Sequence, residues 1–323
     1  MELGLQFEDI FCYEATAGIT TAHEESLETA IPEYCPDIAR IVDTAGRLTI
    51  REKVLKEDQC VVSGNVKVTV LYTSEEAAGL RSLNISVPFS CSLDDRTLAQ
   101  CSTICADGRV LLAEARAVTS RKLYVKVLPE ITAIGYRAVK RRLCSGVQEE
   151  PSIRTQCCQT DVTLLTAVAE KGFSFTDNAL LEDGCIPEDL LLYRMCPSVS
   201  SAQRLGNKLM VKGEMWLYAV YRDGDQTLRQ HSCSLPYSQI LDEADLPEGA
   251  TDMLFPQITE SHARILSTEN GNGFGLTAHV DVCVKVYQQR NLTYIADIYS
   301  TRCDTTVERQ ELLLPIAAPA RFM

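Results

Sequence analysis

The sequence predicts an all-β protein built as two tandem copies, each an antiparallel β-sandwich or partly open β-barrel, with few short helices. Three observations carry this. At 323 residues the chain is too long for one ordinary core, since domains usually run to ~100–150 residues. The chain also repeats itself: VSGNVKVTVLY (Val62 to Tyr72) returns as VKGEMWLYAVY (Val211 to Tyr221), offset by 149, and SVPFSCSLDD (Ser86 to Asp95) returns as SLPYSQILDE (Ser234 to Glu243), offset by 148. Internal periodicity of this kind marks duplicated supersecondary units. Finally, the repeated segments alternate apolar and polar residues, the period of a half-buried strand.

Taken in chain order, Leu5, Phe7 and Asp9-Ile10-Phe11 suggest extended structure before Ile31. Pro36-Asp37-Ile38 with Ile41 and Val42 gives i, i+3, i+4 apolar spacing, which predicts a short helix stopping near Gly46. In the first repeated strand Val62, Gly64, Val66, Val68, Val70 and Tyr72 share a face. Val211, Gly213, Met215, Leu217, Ala219 and Tyr221 match them in the second. Gly64 and Gly213 occupy one place in the pattern, where an interior glycine marks a bulge or a close backbone approach. Collinear matches continue from Pro36-Asp37-Ile38 to Pro187-Glu188-Asp189, from Arg116 to Arg264 and from Tyr136 to Tyr287, with every offset between 148 and 151. The polar, turn-forming stretch Lys140 to Pro151 predicts a linker, and Asp161 to Ala169 fits either a strand or a helix. Arg222-Asp223-Gly224-Asp225 predicts a tight turn into an antiparallel strand. The string Asn270 to Gly275 reads as a hairpin loop, because strand-like flanks do not suit a dinucleotide loop. Val280 to Tyr287 alternates again. The expected division is an N-terminal strand or extension (1–29), a first β domain (30–140), a linker with connecting elements (141–178), a second β domain (179–314) and a tail (315–323).

Lys+Arg 31 against Asp+Glu 44 gives −13. That excludes non-specific nucleic-acid binding, which needs a cationic surface, and docking on anionic lipid. No apolar run approaches the length of a membrane-spanning helix. The N-terminus is acidic at Glu2, Glu8 and Asp9 and resembles no secretory signal, so a cytoplasmic protein is expected. Fourteen cysteines in a chain of this length read as buried, reduced small apolar residues rather than a disulfide scaffold. There is no CxxC, the four histidines are scattered, and no cofactor is expected. The acidic pairs Asp94-Asp95 and Asp242-Glu243 recur, but adjacent strand carboxylates point to opposite faces and make a poor acid–base pair. No nucleophile elbow or other catalytic signature is present, so no enzyme activity is expected. Lys140-Arg141-Arg142 reads as a solvated linker face or as a docking site for an acidic partner. Trp216 falls on the polar parity of its strand, as an exposed contact residue or one lying under the neighbouring domain.

These residues resemble a known family. IPEYCPDIARIV, VSGNVKVTVLY, SVPFS, EARAVTSRKLYVKV and Asp297 to Arg302 look like the SPOCS domain of bacterial endospore coat proteins and SipL-type coat-morphogenesis proteins. The matching positions are Pro36, Asp37, Gly64, Tyr72, Pro88, Phe89, Arg116, Arg121 and Lys122, with Gly213, Tyr221, Pro236, Tyr237 and Arg264 in the second copy. The second copy departs at Asn272-Gly273, where Arg121-Lys122 would fall. The resemblance spans roughly residues 30–140 and 185–302. It implies a non-enzymatic protein of the mother-cell cytoplasm, deposited on the forespore surface. Its partners would be other spore-coat or coat-base proteins, with self-association open. A LysM module is not expected, since only IAAPARFM follows Pro315, so docking through one does not carry over. The alternative is a soluble carbohydrate- or peptide-binding β module using exposed aromatics such as Trp216.

Overall fold

A computed structural model describes residues 4–302 except 17, 77–78, 149–151, 182–184, 243–249 and 270, and beyond 302 it describes 304, 306–308, 311 and 314. Glu243, Asn270 and the tail 315–323 therefore lie outside the described residues. Among those described, all regular structure is strand except one 3-10 turn, Arg96–Gln100. Asp95 caps that turn by accepting from the Thr97 backbone N–H at 2.7 Å.

The first half contains a meander of β4 (Arg40–Lys56), β5 (Gln59–Thr73) and β6 (Leu80–Asp94). Against it lies a sheet centred on β8 (Lys122–Val147). One edge of β8 carries β7 (Thr103–Thr119). The other carries β1 (Leu5–Ala15), β2 (Ile19–Ala22) and β3 (Glu25–Ala30), which together run as one interrupted antiparallel strand along the length of β8. The second half repeats this plan. β10 (Pro187–Leu205), β11 (Lys208–Asp223) and β12 (Leu228–Asp242) form a meander, and β14 (Gly271–Ser300) lies between β13 (Thr251–Thr268) and β9 (Ile153–Leu180). Among the described residues every pairing is antiparallel and no sheet closes into a barrel. The arrangement is that of packed sheets.

The pairing registers recur as well as the order. Ile41 faces Tyr72 and Leu190 faces Tyr221, Gly64 faces Phe89 and Gly213 faces Tyr237, all at offsets of 148 or 149. Even the bulges coincide. The β4–β5 register slips at Ile41/Asp43 and Ile50/Glu52, and the β10–β11 register slips at Leu190/Leu192 and Val199/Ser201, each 149 residues later.

Each half has its own apolar interior. In the first, Val62, Val66, Val68, Val70 and Tyr72 of β5 meet Leu123, Val125 and Val127 of β8. In the second, Val211, Met215, Leu217 and Tyr221 meet Phe274, Leu276 and Val280 to Val286. The period-two faces expected from sequence are the faces that are buried. The long strands then continue past these cores. Ile10 and Cys12 of β1 pack on Val162, Leu164 and Leu292 of β9 and β14, and Tyr136 packs with Leu165 and Val168. Two ribbons, β1–β8 and β9–β14, thus face each other and join the halves. Glu8 and Arg290 pair at 2.5 Å across that seam.

Three expectations need correction. The helix expected over Pro36 to Gly46 does not form: Arg40 onward is β4, and its bulge at Ile41/Asp43 produces the helix-like apolar spacing. The interval 141–178, expected as a linker with connecting elements, is strand through Val147 and again from Ile153. Its polar residues within β8 and β9 sit on ribbon faces rather than in a loop. The glycine string after Asn270 lies inside β14, whose first residue Gly271, at φ +130°, pairs with Thr268 at the end of β13. Asp161 to Ala169, left open between strand and helix, is strand within β9.

Candidate interaction surfaces

The motif residues build internal staples. The loop before β4 brings Pro36 and Asp37 against the β7–β8 turn. There the Arg121 guanidinium donates to the backbone oxygens of Cys35 (3.1 Å) and Pro32 (3.0 Å) and to Asp37 Oδ1 (2.6 Å), while Ser120 donates to Asp37 Oδ2. Tyr72 lies beneath, its phenol pushed up to about 12 by burial, with the Cys35 thiol as a further contributor. The second half lacks the arginine, and Asn272 takes its place. Its side-chain amide donates to the Cys185 carbonyl at 3.3 Å, and Tyr221 meets the Cys185 side chain as Tyr72 meets Cys35. The departure at Asn272-Gly273 thus preserves the contact and drops the ion pair. Lys122 pairs with Glu28 at 2.5 Å. Arg116 stacks on Tyr124 at 4.6 Å, whereas Arg264 has Gly275 opposite.

The hydrogen bond from Arg121, with that from Ser120, holds the Asp37 carboxyl below the usual carboxylate range. A carboxylate depressed in the fold contributes stability that is present above its unfolded value and lost as pH falls through the folded value. Asp37→Asn should therefore lower the thermal midpoint at pH 7 and flatten the decline between neutral and strongly acidic pH. A variant whose midpoint follows the parent at every pH would show that the pair contributes nothing.

Gly64 and Gly213 are where backbone must approach backbone. A Cβ at Gly64 would lie 2.1 Å from the Thr49 carbonyl oxygen and 3.0 Å from the Phe89 ring. At Gly213 it would lie 2.0 Å from the Ser198 carbonyl oxygen and 2.6 Å from the Tyr237 hydroxyl oxygen. The aromatic ring opposite fills the space the missing side chain leaves. In the second half Tyr237 Oη also donates to the Ser198 carbonyl at 2.9 Å. Pro88 and Pro236 are exposed on β6 and β12, at the edges of the two meanders. A proline there removes a ladder donor and blunts the edge against strand addition.

Lys140, Arg141 and Arg142 do not form a free cationic patch. Lys140 pairs with Asp9 at 2.8 Å and lies over Phe11, Arg141 pairs with Glu14, and Arg142 stacks on Phe7 at 3.9 Å. The β1 strand thus supplies carboxylates to Lys140 and Arg141 and a ring to Arg142. A cleft of about 630 Å³ between the halves is lined by the cations Arg47, Lys67, Arg109 and Arg194 and by Tyr193, with Asp107 as an opposing charge. Arg109 is paired with Glu130. Arg47 and Lys67 both lie over the Tyr193 ring, at 5.4 and 5.3 Å, and Lys67 donates to its hydroxyl at 3.2 Å. Burial pushes the Tyr193 phenol up, but Lys67 and Arg47 outweigh it and leave the phenol below its ordinary value. Nε and Nη1 of Arg47 are buried with no hydrogen-bond partner among the described residues. No sequence pattern marks this cleft, in which Lys67 meets Tyr193 across 126 positions.

Trp216 is 39% exposed, as its strand parity suggested, and Tyr218 two residues on is 50% exposed on the same face. Tyr218 shares the polar parity of β11 with Trp216 at i, i+2 spacing, a signal present in the sequence. Among the described residues no group of three His, Cys, Asp or Glu side chains is placed to hold a metal ion. Among the described residues no helix is long and apolar enough to cross a membrane.

Compared with known proteins, residues 37–110 match the family described as SipL, SPOCS domain. The match runs from the loop before β4 to the bulge in β7 at Val110, so it includes Asp37, Gly64, Tyr72, Pro88 and Phe89 and stops short of Arg116, Arg121 and Lys122. No curated protein and no solved structure matches the chain.

Proposed function

With residues 37–110 identified as a SPOCS domain, we propose that the protein is a non-enzymatic structural or assembly component of the bacterial spore envelope, acting in coat morphogenesis by protein–protein contact. The family match is the observation that carries this reading. The geometry supports it: the polar motif residues are engaged in holding loops and strands, and both halves present stiff sheet faces. Its partners are other coat or coat-base proteins, or further copies of the chain, met in the mother-cell cytoplasm before deposition on the forespore. Pro88 and Pro236 favour contact through faces and clefts over strand addition at those edges. The cleft holding Arg47, Lys67 and Arg194 suits an acidic segment of such a partner. Exposed Arg194 makes no ion pair among the described residues, so Arg194→Glu should change stability by no more than about 0.5 kcal/mol. It should nonetheless reduce recovery of coat proteins with the tagged chain severalfold, as read by quantitative mass spectrometry. Equal recovery would remove the cleft from the account. Deletion of the gene in a spore former tests the function itself. Thin sections should show a coat that is detached or incomplete and that is restored by the full chain. A normal coat in the deletion strain, with normal resistance to lysozyme, would refute the assignment.

A second reading rests on Trp216 and Tyr218, which form an exposed aromatic pair on β11 suited to stacking on a sugar ring or a peptide. On this reading the chain binds a glycan or peptide in micromolar to millimolar range, and Trp216→Ala abolishes binding on an array without altering the fold. An array on which parent and variant behave alike would discard it.

A further inference from the structure

Cys105 lies in β7 between Ile104 and Ala106, both of which point into the first core. It therefore projects from the opposite face. Cys283 lies in β14 between Val282 and Val284 of the second core and likewise projects outward. The two outward faces meet at the seam, and the sulfur atoms are 2.9 Å apart although 178 residues separate them in sequence. Both residues are only partly exposed.

We propose that Cys105 and Cys283 form an oxidation site, at which a hydroperoxide converts the dithiol into a disulfide that clamps the two halves together. A sulfur–sulfur bond needs about 2.05 Å, so the atoms must close by roughly 0.9 Å, within reach of side-chain rotation. The local electrostatics select the order of events. The hydrogen bond from Cys283 holds the Cys105 thiol below its ordinary value, and Lys285 and Lys53 act in the same direction against burial. The Cys283 thiol is raised by that same bond and by burial. The thiolate is the nucleophile in such chemistry. The Cys105 thiolate attacks one oxygen of the hydroperoxide, the O–O bond breaks, and the other oxygen leaves as hydroxide or alkoxide, giving a sulfenic acid. Cys283 then attacks the Cys105 sulfur, the S–O bond breaks, and the thiol proton leaves with that oxygen as water. Both sulfurs are oxidised and one hydroperoxide is reduced. Cys60 and Cys91 are neighbours as well, but both are buried in the first core and burial raises both thiols. That pair should stay reduced.

The test uses the full chain, purified reduced and treated with a small excess of hydrogen peroxide. Remaining thiols are then alkylated in denaturant and the protein is digested without reductant. Mass spectrometry should find a peptide linking Cys105 to Cys283 that disappears with reductant, and a loss of two thiols from the fourteen. Cys283→Ser should abolish the link and leave Cys105 as a trappable sulfenic acid. The parent digest alone decides the matter if that variant fails to fold. Alkylated Cys105 and Cys283 in a sample whose other cysteines have oxidised would overturn the proposal.

Discussion

Gly213→Ala is expected to destabilise the protein by about 3 kcal/mol, at the upper end of what overpacking an interior costs. The added methyl group would meet the Ser198 carbonyl oxygen at 2.0 Å, and that atom belongs to a strand backbone rather than to the far end of a flexible side chain. Relief requires β10 to move away from β11 at the bulge between Val199 and Ser201. Such movement would break the bond from Ser198 Oγ to the Glu214 carbonyl (3.1 Å) and the bond from Tyr237 to Ser198. Gly64→Ala should have a comparable effect, because the Thr49 carbonyl stands in the same place and Thr49 Oγ1 makes the corresponding bond to Asn65. Gly224→Ala is the control. Its Cβ would meet nothing closer than a Glu188 oxygen at 3.9 Å, so a change within about 0.5 kcal/mol is expected. Urea unfolding of the three variants measures this directly. Equal stability of Gly213→Ala and Gly224→Ala would mean that the strands do not approach as described.

Phe274→Ala should cost about 3–5 kcal/mol, the range for truncating a buried ring. Phe274 is fully buried in the second core and meets the Tyr221 ring edge-on, with centroids 5.4 Å apart. Tyr221 in turn contacts Cys185 in the loop that Asn272 holds, so the cavity would loosen the entry to β10 as well as the sheet packing. The ribbons that join the halves add a further expectation. Ile10, Leu164 and Leu292 are packed together across the seam, so a defect in the second core should lower the unfolding midpoint of the whole chain. Fluorescence of Trp216, in the second half, and hydrogen exchange of β5, in the first, should report the shift together. A first half whose exchange stays unchanged would show that the seam does not couple them.

Much of this fold was legible in the sequence because its central strands are half-buried sheets with a strict period of two. The alternation in Val62 to Tyr72 and Val211 to Tyr221 identified the buried faces, and the paired glycines marked the close approaches. The segment Pro36 to Gly46 was misread for an equally physical reason. A β-bulge shifts the parity of a strand by one residue, and Ile38, Ile41 and Val42 then mimic the spacing of a helix. Lys140 to Val147 looked like a linker because a strand that continues beyond its core carries polar side chains on its outer face. Its cations proved to be partners of Asp9, Glu14 and two aromatic rings, none of which a local window contains. The cleft around Tyr193 and the Cys105–Cys283 contact depend on how the two halves dock. That docking joins residues 126 and 178 positions apart, and no periodicity encodes it.

The central proposal is that this chain is a component of the spore envelope that depends on the folded segment 37–110, which matches the SPOCS-domain family. The most direct measurement is fluorescence microscopy of the full chain, fused to a fluorescent protein and produced from its own promoter in a sporulating culture. The account predicts signal that arises only in the mother cell and concentrates around the forespore, and a Gly64→Ala fusion that accumulates less and stays diffuse. Signal spread evenly through growing cells, or a forespore ring unaffected by unfolding residues 37–110, would contradict it.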